Sequence, residues 1–245
     1  MKLFVFLVIT FSASLLKDLP PHGYFVVWNV GQGQWTTAVG FETCRHFDAG
    51  GEFFPWRKIL RVCGEKKNVF FFSHWDWDHI GALARKTLQA LDSCRAVSPL
   101  GKAPSRQKEK LLNSLPSCSA ELWGKVFVWK SSSAKNANER STVFTYTGVL
   151  LPGDSPASQE RIWNNAIAPL RPRLLVLGHH GSKTSTSPAL LESLPSVHTA
   201  VSSARWARYH HPHPAVEARL KRARIALLRT EDWGHIWFET ALTDE

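Results

Sequence analysis

Apolar residues run through this chain in short blocks, each closed by turn residues. Tyr24 to Val30 alternates like a strand and stops at Gly31-Gln32-Gly33, a tight turn. Trp35 to Phe41 and His46 to Asp48 read as two more strands, the second closing on Ala49-Gly50-Gly51, so the chain opens as a β-meander. Pro55 to Val62 predicts a helix with proline in its first turn. Val69-Phe70-Phe71-Phe72 predicts a short buried strand, and a helix follows from about Ile80 to Leu91. Ala96 to Ser98 reads as a strand and Ser105 to Leu115 as a basic helix. Two or three strands lie between Leu122 and Leu151, interrupted by the polar segment Ser131 to Arg140, whose composition suits a flexible loop.

After Pro152-Gly153-Asp154 the pattern predicts a helix over Pro156 to Ile167 and a strand over Leu174 to Leu177. A short helix over Pro188 to Leu194 and a strand over His198 to Ser202 come next. A basic helix over Ala215 to Arg222 and closing strands at Ile225 to Leu228 and His235 to Phe238 complete the chain. Strands with helices between them in both halves predict an α/β fold of two sheets packed together, helices outside. No long linker, charge block or internal repeat divides residues 22–245, which read as one domain.

Composition narrows the partners. The chain of 245 residues is 44% hydrophobic, enough for a full core, and carries a formal charge of +10. A basic surface suits anionic partners: nucleic acid, anionic lipid or a polyphosphate. Eleven tryptophans beside basic side chains suit stacking on bases, although core packing uses tryptophan equally well. Lys2, the apolar run Leu3 to Phe11 and the small-x-small Ser12-Ala13-Ser14 read as an export signal removed at residue 14 to about 20, leaving a periplasmic or secreted protein. The run is short for a membrane span, and no later segment is apolar enough for one. Cys44, Cys63, Cys94 and Cys118 show no CxxC spacing for zinc. They permit two disulfides in any of three connectivities, or buried free thiols.

The densest chemistry is Ser73-His74-Trp75-Asp76-Trp77-Asp78-His79-Ile80-Gly81, at the exit of the strand ending in Phe72. His74, Asp76, Asp78 and His79 place four metal-ligand types in six residues, enough to hold two cations close together; helix capping needs only one acid. Three further features stand at strand exits or helix entries. Asp154, in Gly153-Asp154, can bridge two metals through its two oxygens or serve as a turn or cap residue. Of His179-His180, in His179-His180-Gly181-Ser182, one imidazole facing inward is a candidate ligand. Tyr209-His210-His211-Pro212-His213-Pro214 opens a helix, and a histidine there can bind a substrate phosphate or donate a proton.

Taken in order, these segments resemble the metallo-β-lactamase superfamily, and within it the soluble C-terminal domain of ComEC-type DNA-uptake (competence) proteins. The resemblance runs from Tyr24 to Trp237. It rests on Asn29-Val-Gly-Gln-Gly-Gln34, Asp48-Ala-Gly-Gly51, Ser73-His-x-Asp-x-Asp-His-Ile-Gly-Ala-Leu83, Pro152-Gly-Asp154, His179-His-Gly-Ser-Lys-Thr-Ser185 and Arg208-Tyr-His-His-Pro-His-Pro214. The fold it implies is a four-layer αβ/βα sandwich, two mixed sheets face to face with the metal site at one edge.

Carried onto this chain, the resemblance gives His74 and Asp76 to one metal and Asp78 and His79 to the other, with Asp154 bridging and His180 or His179 completing the second site. It implies Asp78, His211 and His213 as catalytic groups, and Asn138, Ser141, Ser182, Lys183, Arg208 and Tyr209 beside substrate. Lys102 and Arg205 join Lys183 and Arg208 as candidates for the phosphate backbone. Asp48 and Gln32 shape the site.

Two departures from the superfamily pattern, Asp76 in place of a histidine and no histidine from Ile80 to Leu177, are shared by the ComEC-like branch. They make the first site oxygen-rich, so the two divalent ions are zinc or manganese. Within that branch, Asn29 and Gln34 stand where acids are usual. The implied activity is an exported metal-dependent phosphodiesterase, a nuclease acting on DNA. The alternatives are another hydrolase on the same site, such as a phosphocholine esterase or a lactamase-like enzyme, and a catalytically weak DNA-binding module.

Overall fold

The structure, a computed structural model, describes residues 23–240 apart from Ser133 and the side chain of Gln89. The export signal read at Lys2 to Ser14 lies outside the described residues.

Strands β1 (Gly23–Val27), β2 (Thr36–Val39) and β3 (Thr43–Phe47) form the meander; α1 (Trp56–Cys63) leads to β4 (Lys67–Phe71). After α2 (Trp77–Ile80) come β5 (Ser93–Val97) and α3 (Arg106–Asn113), then β6 (Phe127–Trp129), β7 (Val143–Tyr146) and β8 (Val149–Leu151). The second half runs α4 (Ala157–Ile167), β9 (Leu174–Val176), α5 (Pro188–Ser193), β10 (Thr199–Ser202), α6 (Trp206–Tyr209) and α7 (Pro214–Arg222). β11 (Ala226–Arg229), α8 (Thr230–Trp233) and β12 (Ile236–Thr240) close the described chain.

The strands make two mixed six-stranded sheets, β12-β1-β2-β3-β4-β5 and β11-β10-β9-β8-β7-β6. In the first, β3, β4 and β5 run parallel; in the second, β8 to β11 do. The period-two side-chain alternation of β1 and β4 sorts their residues between two cores. Phe25, Val27, Val69 and Phe71 meet Phe144, Tyr146, Leu151 and Val176 of the other sheet. Tyr24, Val26, Phe70 and Phe72 point outward, under Ile59 of α1 and Leu112 of α3. The far face of the second sheet is covered by Trp163, Leu190 and Val216 from α4, α5 and α7. Both faces of the central strands are therefore buried, which is why β4, β8 and β9 read as apolar runs. The result is the four-layer sandwich with helices outside.

The expected helix from Ile80 to Leu91 is replaced by the single turn of α2 and two 3-10 segments, Gly81–Ala84 and Lys86–Ala90, with Arg85 extended between them. The cause is a competition for backbone groups. The carbonyl of Asp78 accepts from Gln34 N at 2.8 Å, and Ala82 N donates to Ala49 O at 2.8 Å. The two partners that would continue the helix ladder are already committed to the neighbouring loops.

Cys44 pairs with Cys63, tying β3 to the end of α1, and Cys94 pairs with Cys118. Among the described residues no helix is long and apolar enough to cross a membrane.

Candidate metal centre

The parallel strands bring four loops to one edge of the sandwich. β3 ends at Phe47 before Asp48, and β4 ends at Phe71 before His74 to His79. β8 ends at Leu151 before Asp154, and β9 ends at Val176 before His179 and His180. Carboxyl ends of parallel strands are where open α/β sheets place ligands, because the crossover loops meet there.

The cluster is organised around Asp154. Its Oδ1 lies 3.0 Å from His79 Nε2 and 3.7 Å from His180 Nε2. Its Oδ2 lies 3.7 Å from His74 Nε2 and 3.5 Å from His179 Nε2. Each oxygen thus faces two imidazoles. Asp78 Oδ2 sits 3.2 Å from His180 Nε2, and Asp76 Oδ2 sits 3.4 Å from His74 Nε2. Of the two adjacent histidines between which the sequence did not choose, His180 stands with Asp78 and His79, whereas His179 stands on the His74 side of Asp154.

Hydrogen bonds fix which ring nitrogen carries the proton. His79 Nδ1 donates to Asp48 Oδ2 at 2.7 Å. His180 Nδ1 donates to the carbonyl of Ser203 at 3.1 Å. Ser73 Oγ donates to Asp48 at 2.7 Å, so it accepts from His74 Nδ1 at 3.0 Å. In their neutral forms all three rings therefore present a bare Nε2 inward, the arrangement of metal-binding histidines oriented by a carboxylate or carbonyl behind them. His79 Nε2 and His180 Nε2 approach to 3.2 Å, two lone pairs face to face. His74 Nε2 is buried and makes no hydrogen bond. That donor set fits a divalent cation. His74, His79 and Asp154 form one group whose ligand atoms lie within 4.8 Å of one another; Asp78, His79 and His180 form a second.

The carboxylates and imidazoles of the cluster shift one another's titration. Burial alone would raise the Asp154 pKa, but His79, His180 and His74 around it hold the carboxyl well below its usual range. Burial disfavours charge on His79, yet Asp154 and Asp48 raise it well above the ordinary histidine value. Asp78 is pulled down against its burial by the neighbouring imidazoles of His180 and His79. His74 beside Asp76 lowers that carboxyl too.

The surrounding motifs act as scaffold. Gln34 N and Ala49 N hold the carbonyls of Asp78 and His79 at 2.8 and 2.7 Å. Gly50 is pressed against the same strip of backbone: a Cβ there would lie 2.1 Å from the Asp78 carbonyl carbon. Asp48, His179 and His180 take left-handed backbone conformations (φ 56°, 50° and 57°), uncommon for non-glycine residues and the way two adjacent imidazoles turn toward one carboxylate.

Several predicted positions have partners of their own in the fold. Ser141 is fully buried and accepts a hydrogen bond from Asp154 N at 3.1 Å, so it positions Asp154 from behind rather than facing substrate. His213 caps α7, its Nδ1 accepting from Ala215 N. Ser182 bonds Thr184 within its own loop. Arg205 and Arg208 reach the site's rim paired to Glu52 at 2.7 and 3.3 Å. Lys183 and Lys102 are exposed, and Asn138 is half-buried in a 3-10 turn.

His211 packs toward His179, ring centres 6.2 Å apart, and burial pushes its pKa down to about 4, aided by His180 and His179. Gln32 and Tyr209 line the cavity next to Asp78. Asn29 closes a turn on Gly31 N. Lys108 was not foreseen. It reaches from α3 to hydrogen-bond the carbonyl of Trp75 and lies 4.9 Å over the Trp77 ring. Nothing in its basic helix distinguishes it from its neighbours in sequence.

Two mixed sheets, helices on both outer faces and a His/Asp cluster at the edge are the metallo-β-lactamase fold, and this chain has it. It superposes on the Bacillus subtilis metallo-β-lactamase fold protein YhfI with a TM-score of 0.56 at 10% identity, over 88% of this chain and 99% of that one, a likeness of fold. No family model matches the sequence.

In sequence the chain is similar to competence proteins. It is 28% identical to recombination protein 2 of Haemophilus influenzae over 95% of this chain. It is 28% identical to ComE operon protein 3 of Bacillus subtilis over 70% of this chain. It is 30% identical to competence protein ComA of Neisseria gonorrhoeae over 86% of this chain. The chain spans 31%, 24% and 31% of the length of these relatives, respectively.

Proposed function

We propose that this chain is an exported, metal-dependent phosphodiesterase that cleaves DNA. The observation that carries the reading is the pairing of two imidazoles with each oxygen of Asp154, flanked by Asp76 and Asp78. His74, Asp76 and His179 would hold a cation on one side of Asp154, and Asp78, His79 and His180 one on the other. The mixture of imidazole and carboxylate donors suits zinc or manganese. Bound divalent cations supply Lewis-acid charge to a phosphoryl oxygen and to an attacking water.

The chain's own groups supply the rest. Asp48, Ser73 and Ser203 fix the imidazole tautomers, and Ser141 fixes Asp154. Asp78, in the wall of the adjacent cavity, would face substrate entering there. His211, beside His179, would hold a phosphate oxygen or pass a proton, with His213 at the entry of α7 as the second candidate. The net charge of +10 favours a polyanion, and the relatives are named for competence and recombination, which makes DNA the substrate of choice. Two disulfides suit an oxidising compartment, in keeping with a periplasmic or secreted protein.

Substrate profiling tests the reading: labelled DNA, RNA, a phosphocholine ester and a β-lactam are offered to the manganese- or zinc-loaded protein, with Asp78→Ala as control. Cleavage of DNA that the substitution abolishes is expected. Turnover of the ester or lactam but not of nucleic acid would replace it with another hydrolase, and DNA bound without cleavage would leave a binding module.

A further inference from the structure

Exposed aromatic rings line two cavities, one of which shares its wall with the metal cluster. Phe53, Trp77, Tyr209 and Trp233 are 49%, 42%, 54% and 51% exposed. Trp77 and Tyr209 line a cavity of about 500 Å³ that also has the metal-ligand candidate Asp78 in its wall. Phe53 and Trp233 line a second cavity of about 450 Å³. The segment 51–55 is a ridge between the two. Its side chains alternate, Glu52 and Phe54 facing the first cavity, Phe53 and Pro55 the second.

Singly such rings are ordinary on a protein surface, but four of them lining two cavities, one with Asp78 in its wall, call for an occupant. The rings are also preset. Arg208 lies 5.5 Å from the Tyr209 ring centre and Lys108 4.9 Å from that of Trp77, each cation holding one ring. Glu52 in turn anchors Arg208 and Arg205, Arg85 adds a cation to the wall of the first cavity, and Lys58 brings one to the second.

We propose that the two cavities are consecutive base-binding subsites for single-stranded nucleic acid. The base next to the scissile phosphate stacks on Trp77 and Tyr209. The following base crosses the Glu52–Phe53 ridge and stacks on Phe53 and Trp233. The inference rests on the nucleic-acid reading above and adds strand state to it. Bases within a duplex have both faces covered by their neighbours, so only an unstacked base can lie on a side-chain ring, whereas any base can do so without sequence preference. Recessed rings on either side of a ridge fit separate bases; a duplex presents only its grooves and backbone.

The test is fluorescence anisotropy with a labelled oligonucleotide, single-stranded and as its duplex, in chelator so that nothing is cut. The single strand should bind at least about tenfold more tightly than the duplex. Tyr209→Ala and Trp233→Ala should each weaken it by about 5- to 150-fold, the range of base stacking on an aromatic ring. Trp233→Phe should restore most of the affinity, and Phe41→Ala, an exposed ring that lines neither cavity, should leave it unchanged. Circular dichroism checks that each variant is folded.

Equal affinity for duplex and single strand, or folded alanine variants that bind like the parent, would overturn the proposal. Cleavage of labelled DNA with metal restored separates it from the nuclease reading. Metal-dependent cutting with unaltered binding in the alanine variants sinks these subsites and spares the nuclease. Aromatic-dependent single-strand binding without cutting spares the subsites and sinks the nuclease.

Discussion

His79 Nδ1 lies 2.7 Å from Asp48 Oδ2, and that same oxygen receives Ser73 Oγ at 2.7 Å and Gln34 Nε2 at 3.0 Å. One fully buried carboxylate therefore sets the tautomer of His79 directly and of His74 through Ser73. It is no ligand itself, yet two of the presented ring nitrogens depend on it.

Asp48→Asn isolates that role, because asparagine tolerates the left-handed conformation the position requires. The amide loses the charge and opposes one of its donors with a donor. Metal affinity should fall about 10- to 100-fold, the usual effect of losing an outer-shell partner. Competition against a chromophoric chelator measures it.

Lys108→Met removes the donor on the Trp75 carbonyl and the cation over Trp77 while preserving chain length. Stranding a buried carbonyl costs about 1–3 kcal/mol, which a urea denaturation curve resolves. Because Trp75 lies between His74 and Asp76, metal affinity should fall together with stability.

His46 gives the fold an acid limit. Its Nδ1 accepts from Trp35 Nε1 at 3.1 Å and its Nε2 donates to Asn68 Oδ1 at 2.9 Å, so the ring is held neutral. Burial, opposed by the Asn68 hydrogen bond, pushes its pKa from 6.5 down to about 4. Between those values the unfolded chain takes up a proton that the folded one refuses, so stability is full above 6.5 and falls as pH drops toward 4. The loss attributable to this residue is on the order of 3 kcal/mol. Denaturation at pH 7 and pH 4 should show a smaller drop for His46→Gln than for the parent; equal drops would contradict the assignment.

Reducing the disulfides should destabilise the sandwich. Cys44–Cys63 and Cys94–Cys118 span 19 and 24 residues, each closure worth about 3 kcal/mol through the unfolded chain. Thermal melts with and without reductant provide the comparison.

The layers of this fold were readable because strands buried on both faces leave apolar runs such as Val69 to Phe72, and because ligand types crowd at strand exits. What escaped was whatever depended on a partner distant in sequence. The helix expected from Ile80 to Leu91 fails because Gln34 and Ala49 take its backbone groups, a competition no local pattern displays. Gln34 stands where the resemblance leads one to expect an acid, and its amide donates to Asp48, which a carboxylate at neutral pH cannot do. Ser141 and His213 sit in segments full of plausible site residues, yet one props Asp154 and the other caps a helix. Lys108 and Glu52 matter only through residues that the fold brings to them.

The central claim is that the His/Asp cluster holds the metal that cuts DNA. Its most direct test is cleavage of labelled DNA by metal-stripped protein, with manganese, zinc and magnesium restored one at a time, in the parent and in Asp154→Asn. The account predicts no cutting without metal, cutting with manganese or zinc, and its loss in Asp154→Asn, whose amide no longer offers two anionic oxygens to the four imidazoles. Cutting that persists in chelator, or that Asp154→Asn retains in full, would contradict it.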